Sequence, residues 1–371
     1  MGSAGIGRRA VAAACVAALA GWLGLSPAAR AGGVATVHSA AQGGAIAGAG
    51  VPLSPGTDAP DSAALAKLRG DGLNTVSFFV WWEADGPQAD SVHSFTGTEP
   101  DAVLSAEIAA AEAAGMRVVL TPVFVCTGCE GDFRGVIHPA NLDAFFASYR
   151  AFMDHYAALA QADGVSVLFV GSEMSSLEND GPHWRQVVGD ARAHFGGTIA
   201  YEENWDELGH AAFLDAVDLV GVSAYFPLDD RPAPTLGQLL GDWQTSSAAA
   251  TRGRHWVASV AALAAATHKP IVFAEAGYMS GQYAARAPYL NFYGITDWQL
   301  QADLYQALLE TFSGQPWWHG VIWWDWENTD GPALNGRPFH AKTAEAFLQL
   351  WYGLGARPST ASQPLLPAVG S

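Results

Sequence analysis

The stretch Ile271–Ser280, IVFAEAGYMS, decides the fold. It follows Lys269-Pro270, opens as an apolar run and closes on Gly277, Tyr278 and Ser280. An apolar run of this length between turn signals reads as a strand buried on both faces, the mark of a parallel sheet. Its one carboxylate is Glu275. An ionised group sits on a buried strand when it is paired or functional. One reading salt-bridges Glu275 at the rim of a sheet. The other makes it catalytic, at the carboxyl end of a barrel strand. A second stretch, Val165–Met174 (VSVLFVGSEM), favours the latter, because it too is an apolar run ending in a lone carboxylate, Glu173. Two carboxylates, each closing a buried strand, are the equipment of a glycosidase.

A pattern of apolar run, turn and amphipathic segment repeats along the chain. The eight apolar runs are Ala45–Leu53, Leu73–Trp82, Met116–Val125, Val165–Met174, Thr198–Trp205, Val217–Phe226, Ile271–Met279 and Gly320–Trp326. Helices are expected between them, at Asp61–Gly70, Asp101–Gly115, Asn141–Ala162, His183–Phe195 and Asp297–Phe312, with Phe339–Tyr352 closing the chain. Strand alternating with helix implies a parallel sheet. Eight such units over about 300 residues imply an α/β fold of the (β/α)8 TIM-barrel type, in a single domain, rather than an open doubly wound sheet. There is no GxGxxG after the first strand and no GxxxxGK[ST] anywhere, which removes the usual dinucleotide and phosphate readings.

Of the 371 residues, 50% are hydrophobic and only 15% charged, so the chain can bury one large core and is not a disordered or coiled-coil sequence. The net charge of −18 argues against nucleic acid, whose phosphates it would repel. Residues 1–31 read as an export signal, with Arg8-Arg9, an apolar run Ala10–Leu25, then Ala28-Ala29-Arg30-Ala31. An uncleaved anchor is the alternative, although the run is short for a membrane span. The Arg pair leaves both the general secretory and the twin-arginine route open. Removing that segment takes away three of the 18 basic residues and none of the 36 acidic ones, so the charge becomes −21. Residues 32–44 read as a linker, 45–356 as the barrel and 357–371 as a short polar tail. A secreted, periplasmic or extracellular location suits Cys126 and Cys129, spaced CTGC among loop residues. Two cysteines do not make a structural zinc site, and a loop-clamping disulfide is the better reading.

The barrel fixes the face that carries function, since residues just after each strand open onto one end. Those positions are aromatic and acidic. Strand 2 offers Trp81 and Trp82, strand 4 Ser172 and Glu173, and strand 5 Glu202, Glu203, Asn204 and Trp205. Strand 6 offers Tyr225, strand 7 Glu275 and Tyr278, and strand 8 Trp323 and Trp324. Aromatic faces stack on the C–H faces of pyranose rings, while carboxylates and amides bind the hydroxyls. For any one Trp the alternative is core packing, and one of Trp323 and Trp324 is expected to be buried.

These residues carry a pattern that resembles glycoside hydrolase family 113, part of a large clan of retaining (β/α)8 glycosidases. The resemblance runs from about Leu53 to Trp326 and rests on several pieces. They are FRG at Phe133–Gly135, FASYRAF at Phe146–Phe152, LFVGSEMSSLE at Leu168–Glu178, ENWDE at Glu203–Glu207, VDLVGVSAYFPL at Val217–Leu228 and FAEAGYMS at Phe273–Ser280. Each is weak alone, and their order along successive strands makes the match specific. The resemblance implies endo-β-1,4-mannanase activity by double displacement, with no metal or cofactor, on a polysaccharide or oligosaccharide substrate. It makes Glu173 the acid/base and Glu275 the nucleophile, in agreement with strand position. It implies that Tyr225 holds Glu275, that Trp323 or Trp324 floors the reacting sugar, and that Asn204 and Trp205 line the next subsite.

There are departures. Ser172 stands where the clan usually has an Asn that binds the sugar 2-hydroxyl. Strand 3 ends in Thr121-Pro122-Val123 where relatives often have a Lys-Pro-His-like end. Glu202-Glu203 stand where small residues are more usual. They leave room for two other readings. One is a clan glycosidase acting on another glycan, such as a β-glucan, an amino-sugar polymer favoured by an acidic rim, or a bacterial surface polysaccharide. The other is a non-catalytic carbohydrate-binding barrel. Of the two carboxyls, Glu173 is expected to have the raised pKa, since the acid must hold its proton. Oligomeric state has no signature in the sequence.

Overall fold

The computed structural model describes residues 44–56, 59–291, 294–327 and 336–354. The export signal, nearly all of the linker and the polar tail lie outside the described residues. Eight parallel strands close into a barrel in chain order: β1 (Ile46–Leu53), β2 (Thr75–Ala84), β3 (Arg117–Cys126), β4 (Val167–Ser172), β5 (Thr198–Asn204), β6 (Leu219–Ser223), β7 (Ile271–Ala276) and β8 (Trp318–Trp323). β8 pairs with β1 through Ile46↔Gly320 to complete the ring. The fold is a (β/α)8 TIM barrel in one domain.

The helices among the described residues are α1 (Ser62–Gly70), α2 (Asp101–Ala113), α3 (Leu142–Ala162), α4 (Gly181–His194), α5 (Leu236–Gln244), α6 (Trp256–Thr267), α7 (Trp298–Phe312) and α8 (Thr343–Leu354). Their starts are written in the sequence. Asp61, Asn141, Asp180 and Asp297 each accept a backbone N–H of the first turn, and Thr235 with Gln238 forms a capping box. The β5–β6 connection carries no helix, while two helices, α5 and α6, follow β6.

Two apolar layers hold the barrel. Inside the ring, side chains such as Ile46, Val119, Val167, Phe169, Leu219 and Ile322 fill the interior. Between ring and helices a larger layer packs, and α3 alone buries Phe145, Phe146, Tyr149, Phe152, Met153 and Tyr156 against it. Each such side chain is worth about 1.5–3 kcal/mol of burial. β1 lacks side chains where others press on it. A Cβ at Gly50 would lie 2.9 Å from the Trp324 ring, so that indole rests on bare backbone at the upper end of the barrel.

Cys126 and Cys129 form a disulfide with Cα atoms 5.4 Å apart, closing the turn directly after β3. The same loop leads into Phe133, Arg134 and Gly135. Both cysteines are buried, and their link sets the path of the chain towards the barrel mouth.

Candidate active site

Glu173 and Glu275 come from the ends of β4 and β7, and each is held by side chains of neighbouring strands. Glu173 has φ +52°, in the left-handed region that a side chain other than Gly enters at a cost of about 1–2 kcal/mol. Such a conformation persists where the surroundings over-determine it. Here its N–H donates to the Glu202 carbonyl at 2.8 Å. Its Oε1 accepts from the Ser223 hydroxyl at 2.6 Å and its Oε2 from Arg134 Nη2 at 3.0 Å. Arg134 also donates through Nε to the Ser172 carbonyl at 2.6 Å and through Nη2 to the Ser172 hydroxyl at 2.7 Å. Gly135 lets this loop come close, since a Cβ there would stand 2.8 Å from the Glu173 carbonyl oxygen.

Glu275 accepts from the Tyr225 hydroxyl at 2.8 Å. The Arg337 guanidinium lies over the Tyr225 ring, 5.5 Å from its centre. Burial, then the charge of Glu173, push the Glu275 carboxyl up to about 7, opposed by Arg134, the Tyr225 hydrogen bond and Arg337. The structure thus raises the carboxyl of Glu275, the expected nucleophile. Glu275 is buried beside Tyr225, while Glu173 shares the Arg134 guanidinium with Ser172 and receives the Ser223 hydroxyl. Two neighbouring carboxyls disfavour being ionised together, so one proton shared between them is favoured.

The structure places the other expected residues unevenly. Trp81 lies on the inner face of β2, in phase with Phe79, whose ring meets Trp324 edge-on at 4.7 Å. Trp324 is half-buried at the mouth, beside Gly277, where a Cβ would strike its carbonyl oxygen. Asn204 turns its carbonyl oxygen onto the Trp205 N–H at 2.8 Å, and Trp205 stacks on the exposed Tyr289 at 5.5 Å.

Five expected sugar contacts need correction. Trp82 has the opposite phase to Trp81 and faces the helices, meeting the Phe152 ring at a tilt of 47° and donating to the Tyr156 hydroxyl at 3.1 Å. There it lines a separate cavity of about 410 Å³ with Phe95, Glu99 and His155. Trp323 is 0% exposed, stacked on Tyr305 at 4.0 Å, so of the tryptophan pair it is the core member. Tyr278 is likewise fully buried against Tyr305. Glu203 points out of the barrel and ties down the β5–β6 loop by accepting the N–H groups of Gly209 and Ala211. Ser172 is buried, and its hydroxyl is taken by Arg134, so it anchors a guanidinium where an Asn would reach a sugar.

Three residues of the site were not singled out from sequence: Arg134, Ser223 and Arg337. Arg134 lies in the FRG piece and is a rare cation in an acidic chain, which is a usable signal. Ser223 precedes Tyr225 by two in the quoted strand-6 run, at the last position of β6. Arg337 follows β8 in the chain and carries no local signal. Among the described residues no group of three or more His, Cys, Asp or Glu could hold a metal ion, and no helix is long and apolar enough to cross a membrane.

Comparison with known proteins agrees with this geometry. The profile of Glycoside Hydrolase Family 113 matches residues 57–337. A family 113 β-mannanase from Alicyclobacillus acidocaldarius, solved in complex with ManMIm, superposes with a TM-score of 0.72 at 25% identity, over 84% of this chain and 98% of that one. A second family 113 β-1,4-mannanase, also solved as a complex, gives 0.71 at 22% identity, over 85% of this chain and 100% of the other. A β-D-glucuronidase from Dictyoglomus thermophilum shares the fold alone, with a TM-score of 0.58 at 14% identity over 85% of this chain and 51% of that one. No curated protein sequence matches the chain.

Proposed function

The chain belongs to glycoside hydrolase family 113 and is an enzyme of O-glycosyl bonds, and on that premise we propose that it is an exported endo-β-1,4-mannanase working by double displacement. Glu275 is the nucleophile and Glu173 the acid/base. The observation that carries this reading is the pair itself: two carboxyls at the ends of β4 and β7, electrostatically coupled, each with its own donors.

In the first step the Glu275 carboxylate attacks the anomeric carbon while Glu173 gives its proton to the leaving oxygen. Tyr225 and Arg337 favour the charged form of Glu275 and hold its orientation. The proton that the pair retains must sit on Glu173 in the productive complex, and Arg134 and Ser223 keep that carboxyl aimed. In the second step Glu173, now a carboxylate, takes a proton from water, and the hydroxide attacks the glycosyl ester to release sugar of retained configuration. Arg134 beside Glu173 steadies the negative charge it carries between the steps. Trp324 offers the flat surface for the reacting sugar, with Trp81 and Trp205 further along the mouth.

Two features support a neutral glycan over an amino-sugar polymer. Glu202 and Glu203, half of the acidic rim that suggested a cation, are both 0% exposed. Trp81, Trp205 and Trp324 offer aromatic faces at the mouth. The mannanase titles of the two family neighbours point to mannan. Export rests on the reading of residues 1–31. The test is a panel of glucomannan, galactomannan, linear mannan, β-glucan and chitosan with the products sized. Short manno-oligosaccharides from internal cleavage are expected. Cleavage confined to β-glucan or chitosan would move the enzyme to another substrate.

A further inference from the structure

Glu202 is the anomaly of the barrel. It is 0% exposed, and neither carboxyl oxygen makes a hydrogen bond of good geometry to a described residue, although the Ser172 hydroxyl is near enough to favour its charged form. Natural proteins rarely leave a buried carboxyl without one, because an unpartnered buried charge is costly. Its place explains where it looks. Ala200, two residues earlier on β5, belongs to the apolar filling of the barrel, so alternation puts Glu202 on the same inner face, one layer nearer the mouth. It pairs in register with Ser172 of β4 and Gly221 of β6. Gly221 lets its inner-face neighbours close in, since a Cβ there would lie 2.5 Å from the Phe169 ring and 3.1 Å from Ala274. The groups that act on Glu202 are Glu275 from β7, Glu173 and Ser172 from the end of β4, and Arg134 from the loop after β3. Through its carbonyl, Glu202 also receives the N–H of Glu173.

We propose that Glu202 is a positioning residue for the catalytic pair, a carboxylic acid that keeps its proton in the floor of the site and turns the O–H dipole towards the carboxylates above it. The idea rests on the two-carboxylate reading given above. Were Glu202 ionised, a second anion would stand beside the Glu275 carboxylate, with Arg134 as the cation that acts on both. As a neutral acid it adds no charge, and its O–H favours the ionised nucleophile over the protonated one. Burial, then the charges of Glu275 and Glu173, push its carboxyl well above the ordinary range. Neutral buried carboxylic acids serve as donors in other active sites by the same physics.

The test compares Glu202→Gln, which keeps a neutral donor of the same shape, with Glu202→Met, which keeps the volume and removes the donor. The readout is the acid limb of the kcat/KM profile on soluble mannan, which reports the free enzyme's carboxyl pair. Glu202→Gln should leave that limb in place and lower kcat by less than 10-fold. Glu202→Met should move the limb to higher pH and lower kcat by roughly 10–100-fold with KM little changed, the loss of a hydrogen bond to a charged group. A limb that moves to lower pH in Glu202→Gln would mean that a negative neighbour had been removed, and the proposal fails. A limb unmoved in Glu202→Met makes Glu202 a filler, and the proposal fails again. Infrared spectroscopy reads the proton without any need for turnover. In difference spectra near neutral pH, Glu202→Gln should lose one protonated-carboxyl band of the wild type that Glu275→Gln keeps, while the bands of Glu275 and Glu178 remain; a difference spectrum with no band lost overturns the proposal even if Glu202→Met does not fold. Glu275→Gln assayed alongside judges the two-carboxylate reading separately, since activity surviving there sinks that reading whatever Glu202 does.

Discussion

Replacing Tyr225 by Phe removes one hydroxyl and little else. The ring is 7% exposed and keeps its packing, so no cavity opens. What is lost is the 2.8 Å hydrogen bond to Glu275. The hydroxyl remains a donor throughout the working range, because burial and the charge of Glu275 hold it well above its ordinary pKa. A hydrogen bond to a charged group is worth about 1.5–3 kcal/mol, and about 1.4 kcal/mol corresponds to one pKa unit. Water at the open mouth replaces part of the bond, so a rise of roughly one unit is expected. The direction is fixed: the donor favours the carboxylate, and its loss favours the acid. Glu275 stands at about 7, so in Tyr225→Phe the acid limb of kcat/KM moves from near 7 towards 8. At pH 6 the ionised fraction then falls from about one in ten to about one in a hundred, while at pH 9 most Glu275 is ionised in both proteins. The assay is kcat/KM on an aryl β-mannoside across that range, with Glu173, Arg134 and Arg337 left in place. The variant's deficit should be about tenfold larger at pH 6 than at pH 9. An acid limb that stays put, or moves down, refutes the assignment of Tyr225 to the nucleophile.

Two further outcomes concern stability. Glu345, at the start of α8, is paired with Lys67 of α1 and His340 and accepts the Ala341 N–H, which together outweigh its burial and hold its carboxyl down to about 2. A depressed carboxyl stabilises the fold above its unfolded pKa and loses that effect as the pH falls through the folded one. Glu345→Gln should therefore cost on the order of 2 kcal/mol in denaturant unfolding at pH 7 and nothing near pH 2. An equal cost at both pH values would contradict the pairing. The Cys126–Cys129 link closes so short a loop that replacing both by Ser should lower the unfolding free energy by no more than about 1 kcal/mol. The effect should show instead as faster amide exchange over 126–135, and a large global loss would mean that the link does more than order its loop.

The strands were legible because a strand buried on both faces is a long apolar run, and Thr198–Asn204 and Ile271–Ala276 fall inside runs marked from sequence. The end of β8 was placed too late. Trp324, Asp325 and Trp326 continue the aromatic pattern past the ladder, and hydrophobicity does not distinguish a paired residue from one that has left the sheet. Side-chain direction was harder to read. Alternation separates Trp81 from Trp82 only when the phase of β2 is known, and a one-residue slip exchanges the faces. β4 and β7 both change register near their ends, between Phe169 and Ser172 just before Glu173 and between Phe273 and Ala276 around Glu275. A bulge breaks the period of two, so the sequence marks that a carboxylate closes each strand and not where it points. Arg134 illustrates another limit. Its partners, Ser172 and Glu173, lie more than 35 residues along the chain, and only folding brings a loop cation onto a strand-end acid.

The two-carboxylate mechanism is tested most directly by the product that Glu173→Ala forms from an aryl β-mannoside with a good leaving group in the presence of azide. The activated leaving group needs no proton, so Glu275 should still be glycosylated, and the intermediate should persist for want of a base. Azide needs no base either. It should restore turnover and yield a mannosyl azide of retained configuration, and Glu275→Ala should not form that product. An azide of inverted configuration from Glu173→Ala, or full activity on mannan in Glu275→Ala, would contradict the assignment of nucleophile and acid/base.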